Sequence, residues 1–335
     1  MAQDRTHVLV TGGAGYIGSH AAKALANAGF IPVAYDSLVL GHRSAVRWGP
    51  FVEGDIGDKA KLVETVHHYE IGDVLHFAAF AYVGESVRRP ELYFHNNVAK
   101  SLVLLDAIVE SKVTNVVFSS SCATYGSPER MPITEDTPQL PLNPYGETKL
   151  VIERALRWYG AAHNISWTAL RYFNAAGADG DGDLGEEHSP ETHLIPLVLD
   201  AALGRGTIEI YGDDYPTPDG TCIRDYIHVS DLADAHVSAL RYLRAGGKST
   251  ALNLGTGMGH SVAEVIHAAE RVTSRGIPHR VANRRPGDPP VLVADPSRAA
   301  RVLGWKPQLS SLENIVSSAW KWHSNQLRNT GHETS

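Results

Sequence analysis

At 335 residues, with 43% hydrophobic and 20% charged side chains, the chain is too long for one ordinary core and too apolar for disorder. Its formal charge of −7 argues against a surface built for nucleic acid or anionic lipid, although basic residues can still gather around a phosphorylated ligand. The two cysteines, Cys122 and Cys222, have no metal-ligand spacing to histidine, and no apolar run is long enough for a bilayer. Residues 1–6 carry no charged-then-apolar leader, so a reduced, cytoplasmic setting is expected, with neither a membrane nor a nucleic-acid partner.

Short apolar runs at 7–10, 31–35, 74–77, 116–119 and 167–171 read as strands buried on both faces. Amphipathic stretches at 17–28, 59–69, 96–110 and 146–158 read as the helices between them. That alternation predicts a doubly wound α/β parallel sheet over residues 1–175. After Asn174 the texture changes. Residues 176–193 are rich in Gly, Asp and Glu and read as a long surface loop. Pro-rich stretches at 216–220 and 286–290, with helices at 229–244 and 262–272, suggest a smaller C-terminal substrate-binding lobe over 176–330. Some of its segments are free to return to the first domain.

Gly12, Gly15 and Gly18 stand between the first strand and the first helix, within Thr11-Gly12-Gly13-Ala14-Gly15-Tyr16-Ile17-Gly18. Glycine there lets backbone approach a pyrophosphate, and the helix N-terminus supplies N–H groups and partial positive charge. Asp36 follows the second strand, where a carboxylate accepts ribose hydroxyls and repels a 2′-phosphate, so NAD is expected over NADP. Gly54-Asp55-Ile56 follows a third short strand and reads either as an adenine-side contact or as a turn with a helix-capping Asp.

Tyr145 and Lys149, four apart near a helix start, share one face. A neighbouring ammonium favours the phenolate, which then takes a proton from a sugar or alcohol hydroxyl as hydride leaves the same carbon. Ser121, closing a strand, is placed to hydrogen-bond the same oxygen.

These motifs resemble the extended short-chain dehydrogenase/reductases. The segments 118–126, 84–87, 171–174 and 219–229 narrow the resemblance to the UDP-glucose 4-epimerase family. The resemblance implies a Rossmann-type domain, a sugar-nucleotide lobe, a homodimer and tightly held NAD. It implies catalysis by Tyr145, Lys149 and Ser121, with C4 of UDP-galactose or UDP-glucose passing through a 4-keto sugar. On the cofactor side it implies Gly12, Gly15, Tyr16, Ile17, Gly18, Asp36, Asp55 and Ile56, then Phe77, Ala78, Asn96, Tyr145, Lys149 and Tyr172. On the substrate side it implies Ser121, Tyr145, Asn174, His193, Leu194, Arg224, Arg285 and Asp288.

Two positions depart from the family pattern. Ala81 stands where some members place a Lys near the cofactor phosphates, and Leu292 stands where a bulky or a small residue sets the hexose pocket. A 4-epimerase of another UDP-sugar (N-acetylhexosamine, glucuronate or pentose) therefore stays open, as does a catalytically silent NAD-binding protein. A 4,6-dehydratase needs an Asp-Glu pair where this chain has Cys122-Ala123. Asp179-Gly180-Asp181-Gly182-Asp183 lacks the later positions of a calcium loop and reads as a solvated acidic loop, with His188 and His193 as loop residues and no metal expected.

Overall fold

The computed structural model describes residues 6–285 and 288–330. The start of the chain, Pro286 and Gly287 of the second Pro-rich stretch, and the last five polar residues lie outside the described residues.

Six strands come from the first half: β1 (His7–Thr11), β2 (Ile31–Asp36), β3 (Phe51–Glu53), β4 (Asp73–His76), β5 (Asn115–Ser121) and β6 (Ser166–Tyr172). A seventh, Thr250–Leu254, returns from far along the chain and pairs in parallel with β6. The order is Thr250–Leu254, β6, β5, β4, β1, β2, β3, every pair parallel. Alternation along the strands explains the two layers. Val8, Val10, Leu75, Val117 and Leu170 pack one way, against helices Tyr16–Asn27 and Val229–Arg244. Leu9, Val33, Val74, Val116 and Ala169 pack the other way, against Lys59–His68, Lys100–Glu110 and Pro144–His163. Each fully buried aliphatic side chain contributes about 1.5–3 kcal/mol, so both layers are held firmly.

Helix Pro144–His163 runs longer than its periodicity predicts. Its start is set by the Asn143 side chain accepting from the Gly146 N–H at 2.9 Å, with Pro144 in the first turn, and its end by Asn164 in the left-handed region. The predicted 96–110 helix is preceded by Pro90–Tyr93 and begins as a π-helical turn, Phe94–Ala99, a distortion often found beside functional sites.

Beyond Asn174 the short strand Asn174–Ala176 pairs with Tyr226–His228. Helices Leu194–Ala202, Val262–Thr273 and Leu312–Thr330 build a third core. The expectation of a solvated loop over 176–193 is corrected. Ala178, Asp179, Leu184 and Glu186 are buried, and Gly185 lies so close to the Trp322 ring that a Cβ would meet it at 2.2 Å. The acidic run is partnered, although Asp181 and Asp183 keep contact with solvent: Asp179, Asp181 and Asp183 close on Lys23 Nζ at 2.8, 2.7 and 3.1 Å. Sequence reading missed this clasp because its partner lies more than 150 residues away.

Candidate active site

The strand order reverses between β1 and β4, and ligands of such sheets bind in the crevice at the carboxyl ends beside that point. A cavity of about 2090 Å³ opens there, larger than the few hundred to about 1,000 Å³ that a single small ligand needs. Every site candidate named from the sequence borders it.

The glycine turn is as tight as its pattern implies. Gly12 has φ +73°, and a Cβ on it would lie 2.6 Å from Ala78 N; a Cβ on Gly18 would lie 2.1 Å from Gly12 O. Gly15, the N-cap of helix Tyr16–Asn27, gives its first turn no side-chain cap, and no acid stands there. Uncapped N–H groups beside an open cavity suit an anionic ligand, so these residues fit a dinucleotide pyrophosphate.

Asp36 accepts from Ala14 N–H at 3.0 Å and Leu38 N–H at 2.8 Å; burial raises its pKa and those N–H groups oppose the rise. Each carboxylate oxygen keeps a further lone pair for a ribose hydroxyl. Asp55 accepts from Gly57 N–H at 2.7 Å and pairs with Lys100. The helix-capping alternative for Asp55 is corrected, because the cap of Lys59–His68 is Asp58. Tyr16 Oη donates to Gly177 O at 2.7 Å, joining the glycine turn to the C-terminal half.

Ser121 ends β5 and accepts from Ala123 N–H at 3.1 Å, starting the turn Cys122–Tyr125. Lys149 Nζ donates to Ser119 O at 2.7 Å and lies 5.9 Å from the centre of the Tyr145 ring. Tyr172 Oη and Ser119 Oγ are hydrogen-bonded beside them. Burial pushes the Tyr145 phenol up to about 12, against a lowering hydrogen bond from Ser121. Burial pulls Lys149 down to about 7, against a raising influence from Glu153. The expected lowering of the phenol by Lys149 therefore does not appear, because burial dominates both groups.

A lysine whose folded pKa is depressed costs stability wherever it is protonated in the fold. The cost is full below about 7 and fades as pH rises from there toward the ordinary 10.5. Lys149→Met should consequently be more stable than wild type at neutral pH. Its advantage should shrink by up to about 1.4 kcal/mol per pH unit through that window, as measured by thermal melts across pH. A constant offset would contradict the assignment.

Asn96 borders the cavity, but its neighbour Asn97 does the positioning that sequence reading missed. Buried Asn97 accepts from Phe80 N–H at 2.8 Å and donates to Phe80 O at 2.9 Å and Thr148 Oγ1 at 3.2 Å. It thereby ties the segment after β4 to the helix carrying Tyr145. The Asn-Asn pair was the visible signal, though which amide turns inward depends on the π-helical turn.

On the other side, Asn174 donates to Asp225 O at 3.1 Å, Arg224 is paired with Asp288, and Arg285 stacks 3.8 Å from the centre of the Tyr211 ring. Leu194 opens helix Leu194–Ala202, with His193 as its N-cap. Ala81 is exposed at the rim, and Leu292 packs beside Cys122 and Phe173.

Residues 8–255 match the model of the NAD dependent epimerase/dehydratase family. A UDP-glucose 4-epimerase of Rhizobium leguminosarum bv. trifolii is 53% identical over 317 residues, 94% of this chain and 97% of that relative. A solved UDP-glucose 4-epimerase from Brucella ovis in complex with NAD is 56% identical, with TM-score 0.93 over 94% of this chain and 97% of that one. Another, from Bifidobacterium longum in complex with NAD+ and UDP, is 38% identical, with TM-score 0.91 over 96% and 99%. With its motifs, sheet order and near full-length similarity in agreement, the chain belongs to the NAD dependent epimerase/dehydratase family and, within it, to the UDP-glucose 4-epimerases.

Proposed function

We propose that this chain interconverts UDP-galactose and UDP-glucose, with Tyr145, Ser121 and Lys149 as the catalytic set. The observation that carries the reading is the meeting of those three with the glycine turn on one cavity. NAD, held at Gly12, Gly15, Gly18 and Asp36, supplies a hydride acceptor and donor for C4, and its cationic ring opposes the burial that raises Tyr145. Tyr145 takes the proton from the sugar O4 and later returns it, Ser121 holds that oxygen, and Lys149 supports the phenolate. The 4-keto sugar turns between the two halves of the cycle, so one acid–base face serves both directions. Asn174, Arg224 and Arg285 are suited to the diphosphate, with Asp288, His193 and Leu194 toward the nucleoside.

The division at residue 175 supports a cofactor side and a substrate side, with Thr250–Leu254 completing the first. A homodimer is the assembly that the family resemblance implies, and Phe94 and Trp158, 40% and 74% accessible, are exposed apolar side chains for its contact surface to cover. Among the described residues no helix is long and apolar enough to cross a membrane; the cytoplasmic reading rests instead on the two unpaired cysteines, Cys122 and Cys222.

The test is incubation with UDP-galactose and no added NAD, following UDP-glucose by chromatography. Conversion supports the reading; resident NAD without conversion moves it to another UDP-sugar. Gly18→Ala should lose resident NAD by about tenfold or more, since a Cβ at 2.1 Å from Gly12 O must displace the turn. Nucleotide released on acid precipitation measures this, and undiminished occupancy would contradict it.

A further inference from the structure

Two groups of acidic and histidine side chains lie in the segment that sequence reading took for a surface loop. In the first, Asp179, Asp181 and Asp183 already surround an ammonium, Lys23 Nζ, so the place of a cation is taken. In the second, among the described residues, the carboxylates pair with two histidines and no ammonium, and Glu191 Oε1 also accepts from the Thr192 and His193 N–H groups at 2.7 and 2.8 Å. Glu186, His188, Glu191 and His193, spaced E-x-H-x2-E-x-H, each offer one ligand atom, and these atoms all lie within 4.8 Å of one another. His188 Nδ1 is 3.1 Å from Glu186 Oε1 and 3.7 Å from Glu191 Oε2. His193 Nδ1 is 2.7 Å from the same Glu186 oxygen and 3.0 Å from Glu191 Oε1.

Those separations, 2.7–3.7 Å, bracket the edge of a coordination tetrahedron, and the shorter ones are hydrogen bonds between the same groups. Zinc–nitrogen and zinc–oxygen bonds of about 2.0–2.1 Å give edges of roughly 3.3 Å. Two imidazoles with two carboxylates form a set that suits zinc and related transition metals better than magnesium or calcium, which take oxygen ligands. One divalent cation also balances both carboxylates and lets both rings bind as neutral imidazoles, although the rings stand only 5.3 Å apart. A second observation comes from Tyr82. Its hydroxyl oxygen is buried with no hydrogen-bond partner, and its ring meets His188 edge-on at 5.9 Å. An orphaned polar atom beside converging ligands marks a place that the protein's side chains alone do not complete.

We propose that Glu186, His188, Glu191 and His193 form a structural site for one zinc-class divalent cation. Four protein ligands make a closed site, so its role is to hold the wall and not to take part in the reaction. The site pins the segment that packs on Tyr16 and Tyr82 and leads directly into helix Leu194–Ala202. In this arrangement His193 serves twice: Nδ1 binds the metal, and the residue borders the cavity.

The test uses the full-length holoenzyme, purified without metal-affinity chromatography and passed through chelator-treated buffer. Elemental analysis should find about one zinc per chain, or stoichiometric uptake when zinc is supplied. Cobalt(II) loaded in its place should give the intense visible bands of a four-coordinate ion. His188→Ala with Glu191→Gln should abolish both signals. Chelation of the wild type should lower its melting temperature, and zinc should restore it. Failure of the wild type to compete with a chromophoric chelator for zinc or cobalt would overturn the site, as would binding undiminished in the double variant. Uptake of magnesium or calcium alone would overturn the metal class.

Discussion

Tyr145→Phe is expected to keep its NAD and its fold while losing turnover by roughly a hundred- to ten-thousand-fold, the range for a removed acid–base group. The ring is buried and the change removes one oxygen, so packing is preserved. The backbone contacts that place it also remain: its N–H donates to Ser86 Oγ at 3.3 Å, and its carbonyl accepts from Thr148 Oγ1 at 2.7 Å. Ser121 and Lys149 stay in position, Ser121 accepting from Ala123 N–H and Lys149 giving one of its three N–H bonds to Ser119 O, but neither replaces the phenol as the acid–base group at the sugar oxygen. Measuring kcat for UDP-galactose together with nucleotide content separates chemistry from cofactor loss. Near wild-type turnover with full NAD would sink the mechanism.

The parts of this site that sequence disclosed are those made by neighbours in the chain. Gly12, Gly15 and Gly18 are a turn between adjacent elements, and Tyr145 with Lys149 are one helical turn apart; local geometry is enough for both. Five of the first six strands were legible for the same reason, since each is a short apolar run bounded by a helix, whereas β3, three residues long, was read only as a short strand before Gly54. Thr250–Leu254 was not, because its place beside β6 depends on a pairing across roughly 80 residues that no periodicity encodes. The same distance hid the Lys23 clasp and the pairing of Arg224 with Asp288, separated by 64 positions. The reading of 176–193 as solvated failed for a related reason. Composition counts charges, but burial depends on whether a partner arrives from elsewhere. The phenol's raised pKa belongs here too: the spacing of Tyr145 and Lys149 was visible, whereas the enclosure that outweighs it was not.

Beneath the catalytic set, Arg171→Met should destabilise the protein by about 3–5 kcal/mol, the cost of leaving a buried charge without its partner. Arg171 and Glu153 have side chains only 6% and 7% accessible, joined at 2.9 and 2.6 Å in a bidentate pair. The pair is part of a network. Glu153 also receives Ser120 Oγ and Gln139 Nε2, while Arg171 donates to Tyr125 Oη at 2.8 Å, which donates to Asn253 Oδ1 at 2.7 Å. It therefore links β5, β6, the helix of Tyr145 and the returning strand Thr250–Leu254. With methionine in place of Arg171, the Glu153 carboxylate either stays ionised in a poor environment or takes up a proton, and both cost stability. Denaturant melts measure the loss, and a change below about 1 kcal/mol would refute the account. Adding Glu153→Leu should recover part of it, since the unpaired carboxylate is removed while Ser120 Oγ and Gln139 Nε2 lose an acceptor. That rescue carries a functional signature. Glu153 lies one turn beyond Lys149 and raises its pKa. The double variant should therefore be more stable than Arg171→Met alone and yet show Lys149 titrating below its wild-type value of about 7.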